Sequence, residues 1–287
     1  MTAIDRPSTL PADLAGPLDL ALGSPDIAPI GAQVIFFPLA TSTNDLALRL
    51  ADHGCPDGTV VIADQQTAGR GRGSHTWHSP AGSGLYVSVV VRVDATAVGR
   101  EQGAADWPRW LTLATGVALA EGLHAASGLP VSIKWPNDLV IAPAGTVLGA
   151  RKLGGVLAEG RTDGGRLTHV VVGFGVNVRS SAFPPEISAR ATSLEDELGR
   201  DVDRGAVLAA MLRRFSTWLA RLRAQRSDDV AARWSALAVG ATGSTVEWHA
   251  DGGQRRGVTA GIDGDGALLI RAGTSTERVV SGEVIWL

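Results

Sequence analysis

A glycine-rich loop between residues 69 and 80, GRGRGSHTWHSP, carries two arginines, Arg70 and Arg72. Glycine lets a backbone approach an anion closely, and each guanidinium presents a planar fork of donors that matches carboxylate or phosphate oxygens. Two such side chains can hold a small carboxylate and a phosphate together. As a phosphate-loop pattern the segment alone is weak, because a solvated surface loop with arginines would look the same.

Two downstream clusters each combine a lysine with small or turn-forming residues: KWPND at residues 134–138 and KLGGVLAE at residues 152–159. Lys134 is compatible with a solvated strand lysine, in which case the Pro-Asn-Asp turn only positions the chain. Lys152 begins an apolar strand that contains glycine, and an ammonium is costly to dehydrate there unless it faces an anion. We therefore expect Lys152 to face an anionic ligand.

The composition of the chain limits the classes of protein to which it can belong. The chain has 287 residues with 45% hydrophobic content, enough for one large domain or a large one with a small one. Its net charge of -3 predicts no general attraction to nucleic acid or to an anionic membrane, so an anion must be bound locally. Cys55 is the only cysteine, which excludes an intrachain disulfide and cysteine-based zinc sites and fits a reducing cytoplasm.

No apolar stretch approaches the ~20 residues that a bilayer-spanning helix needs, so we expect no membrane association. The first thirty residues lack a basic start and contain five prolines, which argues against a secretion signal. We therefore expect a cytoplasmic protein. We interpret residues 1–33 as a partly ordered leader.

The periodicity of apolar residues predicts an α+β fold, with a mixed, mostly antiparallel sheet packed with helices. Strands are predicted at residues 34–37, 59–63, 85–93, 131–135, 139–141, 152–159 and 169–178. Helices are predicted after a cap at Ser42 or Thr43, at about 110–126, after Asp203 and at about 230–237. Short alternating strands at 245–249, 257–262, 267–271 and 278–285 predict a small terminal β-barrel.

Taken together, the motifs resemble one family. GRGRGSHTWHSP, KWPND, KLGGVLAE and GFGVN (residues 173–177) stand in the order and spacing of the biotin protein ligases, and TSTN at residues 41–44 resembles the first motif of that family. The resemblance covers the chain from about Phe37 to the C terminus. It implies a catalytic domain related in shape to class II tRNA synthetases and lipoate ligases, followed by an SH3-like barrel. We divide the chain into a leader (1–33), a catalytic biotin- and ATP-binding domain (34–239) and the barrel (240–287).

The resemblance also implies a reaction. An ATP-dependent ligase of this kind forms biotinyl-5'-AMP and transfers the biotin to a specific lysine of a biotin carboxyl carrier domain of an acyl-CoA or pyruvate carboxylase. Its substrates are biotin and ATP, with Mg²⁺ carried mainly by the ATP phosphates. The first step needs no general base, because a carboxylic acid is already ionised at neutral pH. The obstacle is repulsion between this carboxylate and the triphosphate, which positive side chains must offset.

The biotin-binding positions of the family carry over residue by residue. Those that hydrogen-bond the ureido head of biotin are matched by Ser42, Thr43 and Gln66. The alternative roles are helix capping for Ser42 and a strand-end amide for Gln66. The loop that closes over biotin and the adenylate, with one aromatic residue of its wall, is matched by Gly69, Arg70, Gly71, Arg72 and Trp77. Trp77 is equally compatible with ordinary core packing.

The resemblance assigns the charged chemistry to a second set of residues. Lys152 matches the lysine that meets the carboxylate and phosphate oxygens, and Gly155 matches a position of close approach to biotin. Catalytic roles fall to Lys152, Arg70 and Arg72. The adenylate is expected to contact these three and also Lys134, Asn137, Asp138 and Asn177. Asn177 is in addition a candidate magnesium ligand.

Two features leave questions open. Where relatives commonly continue the basic run of the loop with further arginine, this chain has Gly73 and His75, which puts the contacts to pyrophosphate in doubt. The transfer step needs a base for the attacking lysine of the carrier. Asp138 is our hypothesis for that base, and a carboxylate that caps the turn is the alternative.

Other activities are compatible with parts of the pattern. A lipoate or octanoate ligase shares the architecture and the adenylate chemistry, although the GRGR and KWPND pair speaks against it. A biotin-responsive DNA-binding regulator would need a recognition module, and the roughly thirty proline-broken residues before the catalytic region are too few for one. We therefore expect no specific DNA binding. The sequence leaves open whether the protein is a monomer or a homodimer.

Overall fold

The computed structural model of the protein describes residues 4–93, 107–143, 146–180, 183–250 and 253–287. The strands in this part of the chain are β1 Val34–Phe37, β2 Val60–Ala63, β3 Gly84–Arg92, β4 Val131–Lys134, β5 Asp138–Ile141, β6 Arg151–Asp163, β7 Arg166–Asn177, β8 Thr242–Ala250, β9 Gly253–Ile262, β10 Leu268–Ala272, β11 Ser275–Val279 and β12 Val284–Trp286. The α-helices are α1 Ala12–Leu22, α2 Thr43–Asp52, α3 Leu111–Ser127, α4 Pro185–Ser188, α5 Leu194–Leu198, α6 Arg204–Arg223 and α7 Ser227–Leu237.

The first seven of these strands form one sheet in the order β1-β2-β3-β7-β6-β5-β4 within the described residues. Only the β1–β2 pair is parallel among them. Alternate residues of the central strands face opposite sides: Val61 and Val90 pack with α2, whereas Val60, Val89 and Val91 belong to the larger core with α1, α3 and α6. Two helical layers thus cover the sheet. The predicted α+β fold with a mostly antiparallel sheet is confirmed.

Helix α1 lies where the sequence predicted a partly ordered leader. Its Leu14 and Leu18 are buried, and the helix packs on α6. The side chain of Arg204 on α6 is 5% exposed and bonds to Asp13 of α1 and to Asp64 beyond β2. Residues 12–22 are therefore part of the main core. The sequence analysis predicted no helix in this segment, in which Pro11 is the N-cap and Pro17 lies inside the helix.

Strands β8–β12 form a separate, fully antiparallel sheet in the order β11-β10-β9-β8-β12 among the described residues. The single strand that was predicted at residues 278–285 is wrong, because the chain leaves β11 after Val279 and begins β12 at Val284. The intervening turn contains Gly282, which has a φ of 109°. The terminal sheet contacts the larger one, because the Trp135 indole donates a 3.1 Å hydrogen bond to the Gly266 carbonyl.

No helix in the described part of the chain combines the length and the apolar character needed to cross a membrane.

Candidate functional site

A cavity of about 750 Å³ opens between the two sheets and the loop of residues 69–80. Its volume is within the range of small-molecule sites. Except for Gly69, every site residue that the sequence predicted lines it: Ser42, Thr43, Gln66, Arg70, Gly71, Arg72, Trp77, Lys134, Asn137, Asp138, Lys152, Gly155 and Asn177. Gly69 lies behind the wall, where a Cβ would stand 2.6 Å from the carbonyl oxygen of Trp77.

One end of the cavity is lined by neutral polar groups. The Gln66 side-chain oxygen accepts hydrogen bonds from the Thr43 backbone amide at 2.9 Å and from its hydroxyl at 3.2 Å, and the Gln66 amide donates to the Ser79 hydroxyl at 2.9 Å. Ser42 is the N-cap residue of α2, but its hydroxyl makes no capping hydrogen bond. The capping alternative for the Ser42 side chain is therefore wrong. The hydroxyl and amide groups of Ser42, Thr43 and Gln66 can recognise an uncharged polar group of a ligand.

A buried polar network that the sequence did not predict lies behind this end. The Ser88 hydroxyl is 2.6 Å from the Asn44 side-chain oxygen, and the Asn44 amide donates to Glu159 at 2.7 Å. Gly173 of β7 makes room for it, since a Cβ there would stand 1.9 Å from the Asn44 oxygen. Asn44 and Glu159 lie inside the motifs TSTN and KLGGVLAE. The sequence therefore contained both residues in recognised motifs, but it did not indicate that they bond to each other.

The glycine loop folds back on itself. The Gly71 amide donates to the His75 carbonyl at 2.7 Å, and the Trp77 amide donates to the Gly69 carbonyl at 2.9 Å. The Trp77 indole then lies directly against β7, because a Cβ on Gly175 would stand 2.4 Å from the indole nitrogen. Trp77 thus forms a wall of the cavity.

Arg70 and Arg72 point to different partners. Arg70 pairs with Asp45 at 2.8 Å and with Glu159 at 2.5 Å. Arg72 lies 5.8 Å from the Trp135 ring centre and donates a 3.3 Å hydrogen bond to the Gly282 carbonyl of the terminal sheet. Of the two charges, Arg70 is therefore already neutralised by carboxylates, whereas Arg72 has no carboxylate within salt-bridge distance among the described residues and feels Asp138 only from farther away.

Lys152 lies at the centre of the cavity. Its ammonium is 2.5 Å from the Asp138 carboxylate and 5.5 Å from the centre of the Trp77 ring. Gly155 lies close by, where a Cβ would stand 3.5 Å from the Lys152 nitrogen. The structure therefore brings the lysine, the carboxylate and the close-approach glycine together at one point.

Lys134 extends from the edge strand β4 and its ammonium lies 4.6 Å from the centre of the Trp286 ring. Burial lowers the pKa of Lys134, and the nearby positive charges of Lys152 and Arg190 lower it further. The carboxylates of Asp138 and Glu283 act in the opposite direction. Excess positive charge is thus concentrated around Lys134, which favours an anionic ligand.

Asn137 and Asn177 are anchored to the backbone. The Asn137 amide donates to the Val156 carbonyl at 2.7 Å, and the Asn177 amide donates to the Thr192 carbonyl at 2.9 Å. The second bond fixes the segment around Thr192 to the end of β7. Both side chains keep their oxygens as acceptors at the cavity, which suits a nucleotide hydroxyl, an adenine amine or a metal.

The terminal sheet and the segment after β7 contribute cavity residues that no sequence motif indicated. They are Phe183, Ile187, Arg190, Ala191, Ser281, Gly282, Glu283, Val284 and Trp286. These residues come next to the motifs only through folding.

Comparison with known proteins gives consistent matches. Residues 36–177 match the model of the biotin/lipoate A/B protein ligase family, and residues 243–286 match that of the biotin protein ligase C terminal domain. The chain is 35% identical over 251 residues to a biotin--[acetyl-CoA-carboxylase] ligase of Mycobacterium tuberculosis, over 86% of each chain. It is 33% identical over 257 residues to the bifunctional ligase/repressor BirA of Bacillus spizizenii, over 89% of this chain and 74% of that protein.

Solved structures agree with these matches. A biotin protein ligase from Aquifex aeolicus, in complex with biotin and ATP, superposes with a TM-score of 0.70. It is 29% identical, and the match covers 89% of this chain and 98% of that one.

Proposed function

The chain belongs to the biotin protein ligase family, and on that premise we propose that it activates biotin with ATP as biotinyl-AMP and transfers the biotin to a lysine of a carboxylase carrier domain. The observation that carries this proposal is the arrangement of the cavity. A neutral polar end at Thr43 and Gln66, an aromatic wall at Trp77 and a cationic centre at Lys152 follow one another. Biotin has the matching order of a neutral ureido head, an apolar body and a carboxylate.

In the first half-reaction a biotin carboxylate oxygen bonds to the α-phosphorus of ATP, and the bond from that phosphorus to the pyrophosphate oxygen breaks. Lys152 is placed to offset the charge of the carboxylate and the α-phosphate as they approach. Lys152 then exchanges Asp138 for these oxygens. Arg72 approaches the cavity from the loop and can hold the adenylate phosphate.

Arg70 has a different role in this proposal. Its bonds to Asp45 and Glu159 join the beginning of the loop to α2 and to β6. We therefore assign to Arg70 the positioning of the loop, and to Arg72 the direct contact with the anion.

In the second half-reaction the carrier amine attacks the carbonyl carbon of the mixed anhydride, and AMP leaves with the bonding electrons. The amine must first lose a proton. Asp138 lines the cavity beside Lys152 and is our proposal for the acceptor, because it becomes available when Lys152 turns to the ligand oxygens.

Magnesium enters this scheme with ATP. Hard phosphate oxygens are the ligands that Mg²⁺ prefers, and within the described residues no group of three or more His, Cys, Asp or Glu side chains could hold a metal. The Asn177 oxygen is the protein atom that we propose as an additional ligand. When bound, magnesium would neutralise part of the phosphate charge.

The proposal is tested with the purified protein, ATP, magnesium, biotin and an apo carrier domain. We expect a mass gain of one biotinyl group on one lysine of the carrier, with release of AMP. Parallel reactions with lipoate or octanoate separate the related ligase activities, and a carrier with its acceptor lysine replaced by arginine is the matched control. Modification by lipoate or octanoate in preference to biotin, or no modification at all, would contradict the proposal.

A further inference from the structure

Arg190 lines the same cavity as Lys134 and Lys152 but belongs to none of the sequence motifs. Its backbone is fixed beside Lys152, because the Lys152 amide donates to the Arg190 carbonyl at 2.6 Å and the Thr192 amide donates to the Lys152 carbonyl at 2.9 Å. These bonds form a short parallel bridge between the beginning of β6 and the segment before α5. The position of Arg190 next to the central lysine is therefore built into the fold.

Neither Arg190 nor Lys134 has a carboxylate within salt-bridge distance among the described residues. The Arg190 guanidinium donates a 3.1 Å hydrogen bond to the Glu186 carbonyl, and the Lys134 ammonium lies over the Trp286 ring. Arg70, in contrast, is bonded to two carboxylates. Two positive groups that share a cavity without a carboxylate partner repel each other, and an anion bound between them removes that repulsion.

The order of the polar, aromatic and charged side chains along β6 indicates which anion would bind between Arg190 and Lys134. Helix α2, which carries the neutral polar end of the cavity, contacts β6 at the Leu157 carbonyl. The Trp77 ring lies near Gly155, Lys152 follows, and Arg190 lies beside the beginning of the strand. From Leu157 to Lys152 an extended strand spans about 16 Å. The polar end therefore lies at one end of this series, and Lys152 and Arg190 lie side by side at the other.

Displacement at phosphorus requires the entering and leaving oxygens to be roughly in line, on opposite sides of the phosphorus atom. If biotin enters from the polar end and the α-phosphate lies at Lys152, the leaving group lies on the side of Arg190. We propose that Arg190, together with Lys134, binds the β- and γ-phosphates of ATP and the pyrophosphate that leaves. This inference rests on the proposed function.

The charges of the loop support the same assignment. Residues 69–80 contain only Arg70 and Arg72 as permanent cations, and Arg70 is occupied by Asp45 and Glu159. The loop therefore offers a polyanionic substrate one guanidinium, that of Arg72, which is not in a salt bridge with a described carboxylate. The planar fork of Arg190 matches two phosphate oxygens at once and supplies the missing charge from the opposite wall.

A role at the leaving group makes a specific kinetic prediction. Pyrophosphate takes part in the first half-reaction and in its reversal, but not in the transfer of biotin from biotinyl-AMP to the carrier. Arg190→Gln should therefore raise the KM for pyrophosphate in biotin-dependent ATP–pyrophosphate exchange by about tenfold or more, as the loss of a charge-assisted contact predicts. Transfer from supplied biotinyl-AMP should proceed at the wild-type rate.

Two further variants sharpen the experiment. Arg151→Gln removes the neighbouring arginine, whose side chain pairs with Glu197 at 2.7 Å, and it should change the KM by no more than about twofold. Arg190→Lys keeps the charge but loses the fork, so its KM for pyrophosphate should lie between those of the wild type and Arg190→Gln.

The outcomes separate the two proposals. A wild-type KM for pyrophosphate in Arg190→Gln, or an equal loss of rate in both half-reactions, would overturn the proposed role of Arg190. Exchange by the unsubstituted protein would still support the proposed function. Failure of the unsubstituted protein to catalyse biotin-dependent exchange would overturn the proposed function and this inference with it. Thermal unfolding of each variant establishes that the comparison is made between folded proteins.

Discussion

The ammonium of Lys152 and the carboxylate of Asp138 lie 2.5 Å apart at the centre of the cavity. Asp138 begins β5 and Lys152 is the second residue of β6, so the antiparallel pairing of these strands brings them together. The pair orients the lysine while both side chains remain partly exposed, at 39% and 25%. A carboxylate or phosphate that enters the cavity thus competes with Asp138 for the Lys152 ammonium, which is already positioned in the cavity.

Replacing Lys152 by alanine should abolish most adenylate formation. The variant loses the charge that offsets the carboxylate and the α-phosphate, at a cost on the order of 3 kcal/mol in the transition state, or roughly a hundredfold in rate. Biotin-dependent ATP–pyrophosphate exchange measures this loss. Arg151→Ala is the control. Exchange at the wild-type rate in a folded Lys152→Ala protein would refute the assignment.

Replacing Arg72 by glycine should weaken retention of biotinyl-AMP more than its synthesis. The guanidinium reaches the cavity from the loop and bonds to Gly282 across the gap, so its loss opens the site to water. We expect the adenylate to dissociate about tenfold faster, as for a lost contact to a charged group. The escaped acyl adenylate should label lysines of bystander proteins. Unchanged dissociation together with wild-type labelling would contradict this role.

Replacing Gly175 by alanine should weaken biotin binding by displacing Trp77. The new methyl group would stand 2.4 Å from the indole, so the ring must move, at about 1–3 kcal/mol or roughly tenfold or more in affinity. Isothermal titration calorimetry with biotin measures the change. Gly264→Ala is the matched control, because nothing lies within 4 Å of the added methyl group there. Equal affinities in the two variants would show that Trp77 does not wall the biotin site.

Tyr86 is the only tyrosine of the chain, so its ionisation can be followed without ambiguity. Its hydroxyl donates to the Pro80 carbonyl at 3.0 Å, and burial raises its pKa to about 12. The unfolded phenol loses its proton near pH 10, so the stability that Tyr86 contributes is complete below that pH and is lost as the pH rises toward 12. The loss amounts to about 3 kcal/mol.

Phenolate absorbance in a pH titration of the native protein checks the Tyr86 prediction, with the denatured protein as reference. Tyr86→Phe should remove the absorbance change and reduce the alkaline loss of stability. A native midpoint near 10 would mean that the phenol is accessible to water and that the end of the loop is not held by it.

The sequence motifs located the site because each of them is local. Residues such as Lys152 and Gln66 lie at strand ends or in turns whose chemistry can be read over a few positions. Arg190 could not be predicted in this way, because its place in the cavity depends on the pairing of Ala191 with Lys152 across 39 positions of chain. The same holds for Trp286, which reaches Lys134 from the terminal sheet.

The fold class followed from periodicity, whereas the sequence analysis missed one helix and one turn. In α1 the buried residues Leu14, Leu18 and Ala21 have helical spacing, which the interpretation of residues 1–33 as a partly ordered leader did not use. Between β11 and β12 the prediction passed over the turn that the Ser281–Gly282 pair forms. The sequence analysis assigned Arg70 and Arg72 the same role, because the carboxylates that bind Arg70 are distant in sequence.

Helix α1 extends the main hydrophobic core to residues that precede the family match. The family match begins at residue 36, whereas Asp13 supplies one of the two carboxylates of the buried Arg204 and a Cβ on Gly205 would stand 2.4 Å from the Asp13 carbonyl. A protein whose N terminus was cut back to residue 36 would retain the buried Arg204 guanidinium with one of its two carboxylates, and it would expose the face of α6 that α1 covers. Fusion partners and labels therefore belong ahead of α1, not at residue 36.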